Sequence, residues 1–90
     1  MSGRFAPDPE GVTLYALSTC VWCRKTRRLL DSLGVHYRVI EVDLLSPAER
    51  EEANNEMRRW NPACNYPVLV LNARRAILGF REAEIREVLG

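Results

Sequence analysis

The passage from Val12–Leu17 into Cys20-Val21-Trp22-Cys23 constrains this chain more than any other feature. Val12, Thr13, Leu14, Tyr15, Ala16 and Leu17 form a nearly continuous apolar, β-branched and aromatic run, which predicts a strand covered on both faces. Ser18 and Thr19, residue types that cap helices, end it. From Cys20 to Leu33 the apolar residues Trp22, Leu29, Leu30 and Leu33 recur at helical spacing, and Gly34 follows as a helix stop. A C-x-x-C pair therefore sits where a strand gives way to a helix. Tyr37, Val39, Ile40 and Val42 supply a second strand ending at Asp43, so the opening unit is strand, helix, strand with parallel pairing.

The rest of the chain completes a two-sided sheet. Ser46, Pro47, Ala48 and Glu49 combine a capping box with a proline at the first helical position. A helix is expected from about Pro47 to Trp60, with Ala53, Met57 and Trp60 as its apolar stripe, and Asn61-Pro62 ends it. Val68–Leu71 and Arg75–Phe80 read as a hairpin around Asn72, Ala73 and Arg74. Ile85, Val88 and Leu89 share one face of a last helix. The expected order is βαβαββα, an α/β fold with a four-stranded mixed sheet flanked by helices. Residues 1–11, rich in proline and glycine and without apolar period, read as a flexible N-terminal arm, leaving 12–90 as the domain.

Composition removes several classes of function. Ninety residues enclose one core and no second domain. Thirteen Lys and Arg against twelve Asp and Glu leave a charge of +1, no basic footprint for nucleic acid. That sum conceals a basic first helix (Arg24, Lys25, Arg27, Arg28) and an acidic start to the second. No run reaches the roughly 18 apolar residues of a membrane span, and the N-terminus is unlike a signal peptide. Three cysteines are too few and too odd for a disulfide scaffold, so the core must fold the chain without one. The missing span and leader make a cytoplasmic chain the expectation, and a monomer without bound cofactor is expected with it.

The placement of the pair points to redox chemistry. At a helix N-terminus, unpaired N–H groups and the macrodipole favour an anion, so Cys20 is expected as the attacking thiolate. Cys23, one turn further in, is placed to resolve the mixed disulfide. A zinc or cluster site is the competing reading, short of ligands: only Cys64, His36 and unpatterned carboxylates lie outside the pair. His36 opens a strand and reads as an ordinary surface residue.

With these motifs in place the chain resembles the glutaredoxin-like branch of the thioredoxin fold over roughly residues 12 to 89. The resemblance rests on Cys20–Cys23, on Asn65-Tyr66-Pro67 before the hairpin, and on Gly79-Phe80-Arg81 before the last helix. It implies that Pro67 follows a cis bond beside the cysteines and that the Tyr66 backbone pairs with an extended substrate; a plain strand-start proline is the alternative. It also implies that Trp22, Phe80 and Arg81 with Gly79 border a partner groove, although Trp22 could equally be half-buried on its helix, Phe80 could pack under the sheet and Arg81 could be merely an exposed first turn.

Glutathione-using members carry a lysine three residues before the first cysteine and a Gly-Gly pair after the hairpin, where this chain has Leu17 and Leu78-Gly79-Phe80. The Cys20–Cys23 box and Gly79-Phe80-Arg81 look instead like the NrdH-redoxins, which take electrons from thioredoxin reductase, yet the long second helix is unlike theirs. The resemblance implies a dithiol oxidoreductase for protein disulfides, with electrons from thioredoxin reductase or glutathione. A glutathione-dependent deglutathionylating enzyme, a metal or iron–sulfur-binding glutaredoxin-like protein and a redox-silent binding module are the alternatives. Cys64, three residues before Pro67, is either a passive thiol or a partner in an auxiliary disulfide.

Overall fold

The computed structural model describes residues 3–90. Its elements are β1 (Val12–Ala16), α1 (Val21–Ser32), β2 (Tyr37–Glu41), a 3₁₀ turn (Val42–Leu44), α2 (Pro47–Arg58), β3 (Val68–Leu71), β4 (Arg75–Leu78) and α3 (Glu82–Leu89). The sheet order is β2-β1-β3-β4. β1 runs parallel to β2, with Leu14 opposite Val39, and antiparallel to β3, with Leu14 opposite Leu69. β3 and β4 form the hairpin, Val68 opposite Leu78 and Leu71 opposite Arg75. The βαβαββα order read from the sequence is thus the observed one. Among the described residues no helix is long and apolar enough to cross a membrane.

Period-two alternation in β1 and β3 divides the interior in two. Leu14, Ala16, Leu69 and Leu71 face Leu29 and Leu30 of α1 and Ile85 of α3. Tyr15, Val68 and Val70 face Ala53 and Met57 of α2 on the other side. The central strands therefore read as unbroken apolar runs because helices cover both of their faces.

Local signals account for the element ends. Ser46 Oγ accepts from the Glu49 N–H and the Glu49 carboxylate accepts from the Ser46 N–H, closing the capping box with Pro47 behind it. Gly34, at φ 70°, turns the chain out of α1 in the left-handed region. The hairpin turns through Asn72 and Ala73, both left-handed at φ 54° and 51°, and the Arg74 N–H donates to the Leu71 carbonyl at 3.0 Å.

The structure corrects the sequence expectations at several points. Residues 1–2 of the expected flexible arm lie outside the described residues, but Phe5, Ala6 and Pro7 are buried, Phe5 only 6% exposed. Phe5 joins the α2-side core, and the buried Tyr15 hydroxyl, its pKa pushed well up by that burial, donates to the Phe5 carbonyl at 2.6 Å. Arg38 adds a donor to the Ala6 carbonyl at 3.3 Å. The arm packs because one aromatic side chain and satisfied backbone carbonyls suffice, without any periodic pattern.

The second correction concerns α1, whose buried stripe is Cys23, Thr26, Leu29 and Leu30, while Trp22 is 54% exposed. Thr26 tolerates full burial because its hydroxyl donates to the Trp22 carbonyl at 2.8 Å. Third, the second strand stops at Glu41, and Val42 belongs to the 3₁₀ turn. Fourth, the hairpin's second strand ends at Leu78, because Gly79 at φ 82° leaves the strand conformation. Val88 is exposed, whereas Ile85 alone of α3 is fully buried.

Candidate functional site

Cys20 is the N-cap of α1, with extended backbone at φ −81° and ψ 120°. Its sulfur does what a serine oxygen does at other helix starts: it accepts the Cys23 N–H at 3.2 Å. The turn that brings it there is closed by the Cys20 N–H on the Leu17 carbonyl at 3.2 Å. Negative charge on Cys20 Sγ therefore meets an amide and the positive end of the helix dipole. Cys23, one turn along, is 1% exposed inside the α1–α3 core. Burial, then the hydrogen bond with Cys20, pushes its thiol up to about 12. The pair is thus unequal: one sulfur reaches water at the helix end, and the other is a neutral thiol held beneath it.

Asp43, which the sequence showed only as a strand end, secures this loop. Its carboxylate accepts from both the N–H and the hydroxyl of Ser18, and these bonds hold its carboxyl below the usual carboxylate range. Ser18 stands two residues before Cys20, so β2 and the cysteine loop are joined at their shared end. A capping-type serine facing an aspartate after a parallel strand was the available sequence signal.

Tyr66-Pro67 is cis and Pro67 is buried. The Pro67 carbonyl accepts the Gly79 N–H at 2.8 Å, tying the end of β4 to this corner. The Tyr66 hydroxyl donates to Asn54 Oδ1 of α2 at 3.0 Å, and its ring packs against both cores. Upstream, the buried Asn61 organises the loop: its side-chain amide donates to the Asn65 carbonyl at 3.0 Å and its oxygen accepts the Ala63 N–H at 3.2 Å.

Trp22, Tyr66, Pro67, Gly79 and Phe80 together line a hollow of about 240 Å³. Trp22 and Phe80 stack with ring centroids 6.0 Å apart and planes inclined by 28°, and Lys25 Nζ lies 4.6 Å from the Trp22 ring centre. Five of the sequence-predicted site residues are thereby brought together at the cysteine end of the sheet. Arg81 is not among them: its Nε donates to the Leu78 carbonyl at 3.2 Å, and the side chain folds back on the end of β4. Leu17, at the position of the lysine of glutathione-using proteins, packs toward the α2-side core.

Cys20, Cys23 and Cys64 are all free thiols. Cys64 has a left-handed backbone at φ 58°, lies against the α2-side core and directs its sulfur to the Pro62 carbonyl at 3.7 Å. Cys23 belongs to the other core. His36 is exposed at the start of β2. Among the described residues no group of three or more His, Cys, Asp or Glu side chains is placed to hold a metal ion.

Comparison with known proteins agrees with this geometry. A methanoredoxin from Methanosarcina acetivorans superposes with a TM-score of 0.86 at 45% identity, covering 94% of this chain and 90% of its own. A glutaredoxin from Methanosarcina mazei Go1 superposes at 0.83 with 49% identity, covering 94% of this chain and 82% of its own. An uncharacterized glutaredoxin-like 8.6 kDa protein of the rubredoxin operon of Clostridium pasteurianum is 28% identical over 78 residues, 87% of this chain and 96% of that protein. The mixed four-stranded sheet with three helices is a thioredoxin-like fold. The Glutaredoxin family pattern matches residues 12–76, and with it the chain belongs to the glutaredoxin family, whose common chemistry is thiol–disulfide exchange.

Proposed function

We propose that the protein is a dithiol oxidoreductase that reduces disulfides in other proteins, with Cys20 as nucleophile and Cys23 as resolving thiol. The observation that carries this reading is the inequality of the pair: Cys20 Sγ at the helix end accepts an amide hydrogen bond, while Cys23 is buried as a neutral thiol. In the first step the Cys20 thiolate attacks one sulfur of the substrate disulfide. That S–S bond breaks, a Cys20–substrate disulfide forms, and the departing substrate thiolate takes a proton. Cys23 then gives up its proton and attacks Cys20 Sγ. The second substrate thiol leaves, the Cys20–Cys23 disulfide remains, and two electrons have passed to the substrate.

Tyr66 and Pro67 supply the edge on which an extended substrate lies, and Trp22 and Phe80 flank it. The electrons return from thioredoxin reductase or from glutathione. Leu17 in place of a cation favours a reductase as the donor, since a glutathione carboxylate would find no lysine there. A coupled NADPH assay with each donor decides between them. The reading suits a monomer in the cytoplasm, where thiols stay reduced.

The mechanism predicts an asymmetry in trapping. Cys23→Ser accumulates mixed disulfides with protein substrates, visible on non-reducing gels, and Cys20→Ser does not. Equal trapping by both variants would reverse the assigned roles.

A further inference from the structure

Helix α1 crowds Arg24, Lys25, Arg27 and Arg28 into two turns and has no acidic residue in its first turn. Arg27 is neutralised by Glu41 on β2 at 2.8 Å. Among the described residues Arg24, Lys25 and Arg28 have no carboxylate partner within ion-pair distance.

Lys25 and Arg28, three residues apart and so on one side of the helix, line a second hollow of about 360 Å³ between α1 and α3, together with Leu29, Phe80, Glu82 and Arg86. Glu82, the one acid in that lining, is already held by Arg86 at 2.8 Å. Three cations against one anion leave the hollow at +2. Phe80 lines this hollow and also the one beside Tyr66 and Pro67. The two hollows therefore adjoin at Phe80, the one apolar at the cysteine end and the other cationic beyond it.

We infer that the protein prefers disulfide-bearing segments with acidic side chains beside the reactive cystine, and that Lys25 and Arg28 are the specificity-determining cations. This rests on the dithiol reading above. A peptide laid along the Tyr66 edge and continuing over Phe80 brings its next side chains to Lys25 and Arg28, neither of which has a carboxylate within ion-pair distance among the described residues. An acidic side chain gains there and a basic one is repelled. Both cations are exposed, so the preference is electrostatic steering and is screened by salt.

The test uses two peptides with the same internal disulfide, one with glutamates and one with lysines on both sides of the cystine, and 2-hydroxyethyl disulfide as an uncharged third substrate. The ratio of kcat/KM for the acidic over the basic peptide is expected to be on the order of tenfold at about 20 mM salt and to fall toward one at about 300 mM. In the double variant Lys25→Glu/Arg28→Glu the ratio at low salt drops to one or inverts. Because both peptides are measured on the same protein, a variant that is merely less active or less stable lowers both rates and leaves the ratio in place. Equal rates for the two peptides in the unmodified protein, or a ratio that survives in the double variant, overturn the inference. If the uncharged disulfide is reduced while the peptides show no preference, only the inference falls. If none of the three is reduced, the dithiol reading falls with it.

Discussion

At the scale of single residues, the chemistry follows from what surrounds two sulfur atoms three positions apart. Cys20 stands where α1 begins and offers its sulfur to solvent and to an amide, whereas Cys23 has been drawn into the α1–α3 core. Limited alkylation of the reduced protein at about pH 8 should therefore modify Cys20 and Cys64 well before Cys23, because the thiolate is the reacting form and the buried thiol has little of it. Peptide mass mapping reads the order, and early labelling of Cys23 would contradict its burial.

The same displacement has a consequence for stability. The folded-state value, about 12, lies above the ordinary value of 9.0 that an unfolded chain would show, so folding favours the protonated thiol. That contribution is fully present below about pH 9 and is lost as the pH rises toward 12. Cys23→Ala should therefore flatten the alkaline limb of a plot of Tm against pH. An unchanged limb would place the alkaline loss in other groups.

At the scale of elements, each segment that depends on a repeating pattern or on a terminal signal was legible in the sequence. Leu14, Ala16, Leu69 and Leu71 alternate with Tyr15, Val68 and Val70 because two cores lie on either side of the same strands. Ser46 and Glu49 announce the start of α2 because a capping box is a purely local device. The hairpin turn was legible in place but not in its cost. Ala73 sits at φ 51°, where an L-residue with a Cβ is disfavoured. Ala73→Gly should stabilise the protein by about 1 kcal/mol, offset in part by the greater freedom of glycine in the unfolded chain. Chemical denaturation measures it, and a loss of stability would mean that the Ala73 methyl makes contacts worth more than the strain.

What the sequence could not disclose was mostly non-local. Trp22 has the right spacing for the α1 core stripe, yet the helix is rotated so that Cys23 and Thr26 face inward. Apolar spacing alone does not distinguish these faces, because Thr26 is a polar residue whose hydroxyl is satisfied within its own helix. The union of Asp43 with Ser18 joins residues 25 positions apart and left only two ordinary loop-type residues as a trace. Of the expected site, Trp22, Tyr66, Pro67, Gly79 and Phe80 line one hollow, the cysteines stand at the start of the helix that carries Trp22, and Arg81 turns back on its own strand.

At the scale of the whole molecule, the sheet works as a partition. On one face α1 and α3 enclose Cys23; on the other, α2 and the N-terminal segment enclose Tyr15. The N-terminal segment escaped notice because a single aromatic residue between prolines and glycines carries no period, although burial of one Phe is a substantial energy. Phe5→Ala should cost about 3 kcal/mol, at the lower end for a buried aromatic because the segment can relax outward. The corresponding fall in Tm should leave disulfide reduction intact at temperatures where the variant is folded, since Phe5 and Cys23 belong to different cores. A Tm equal to that of the unmodified protein would show that the segment adds nothing to the fold.

The partition also separates the two tryptophans. Trp60 packs against the α2-side core with its Nε1 enclosed, whereas Trp22 lies in water between Lys25 and Phe80, two residues from the Cys20 sulfur. One indole thus stands exposed beside the cysteine end and the other is enclosed on the far face of the sheet. A change in the protein's own fluorescence between dithiol and disulfide forms is therefore expected to come from Trp22, and Trp22→Phe should remove it while leaving the Trp60 emission in place.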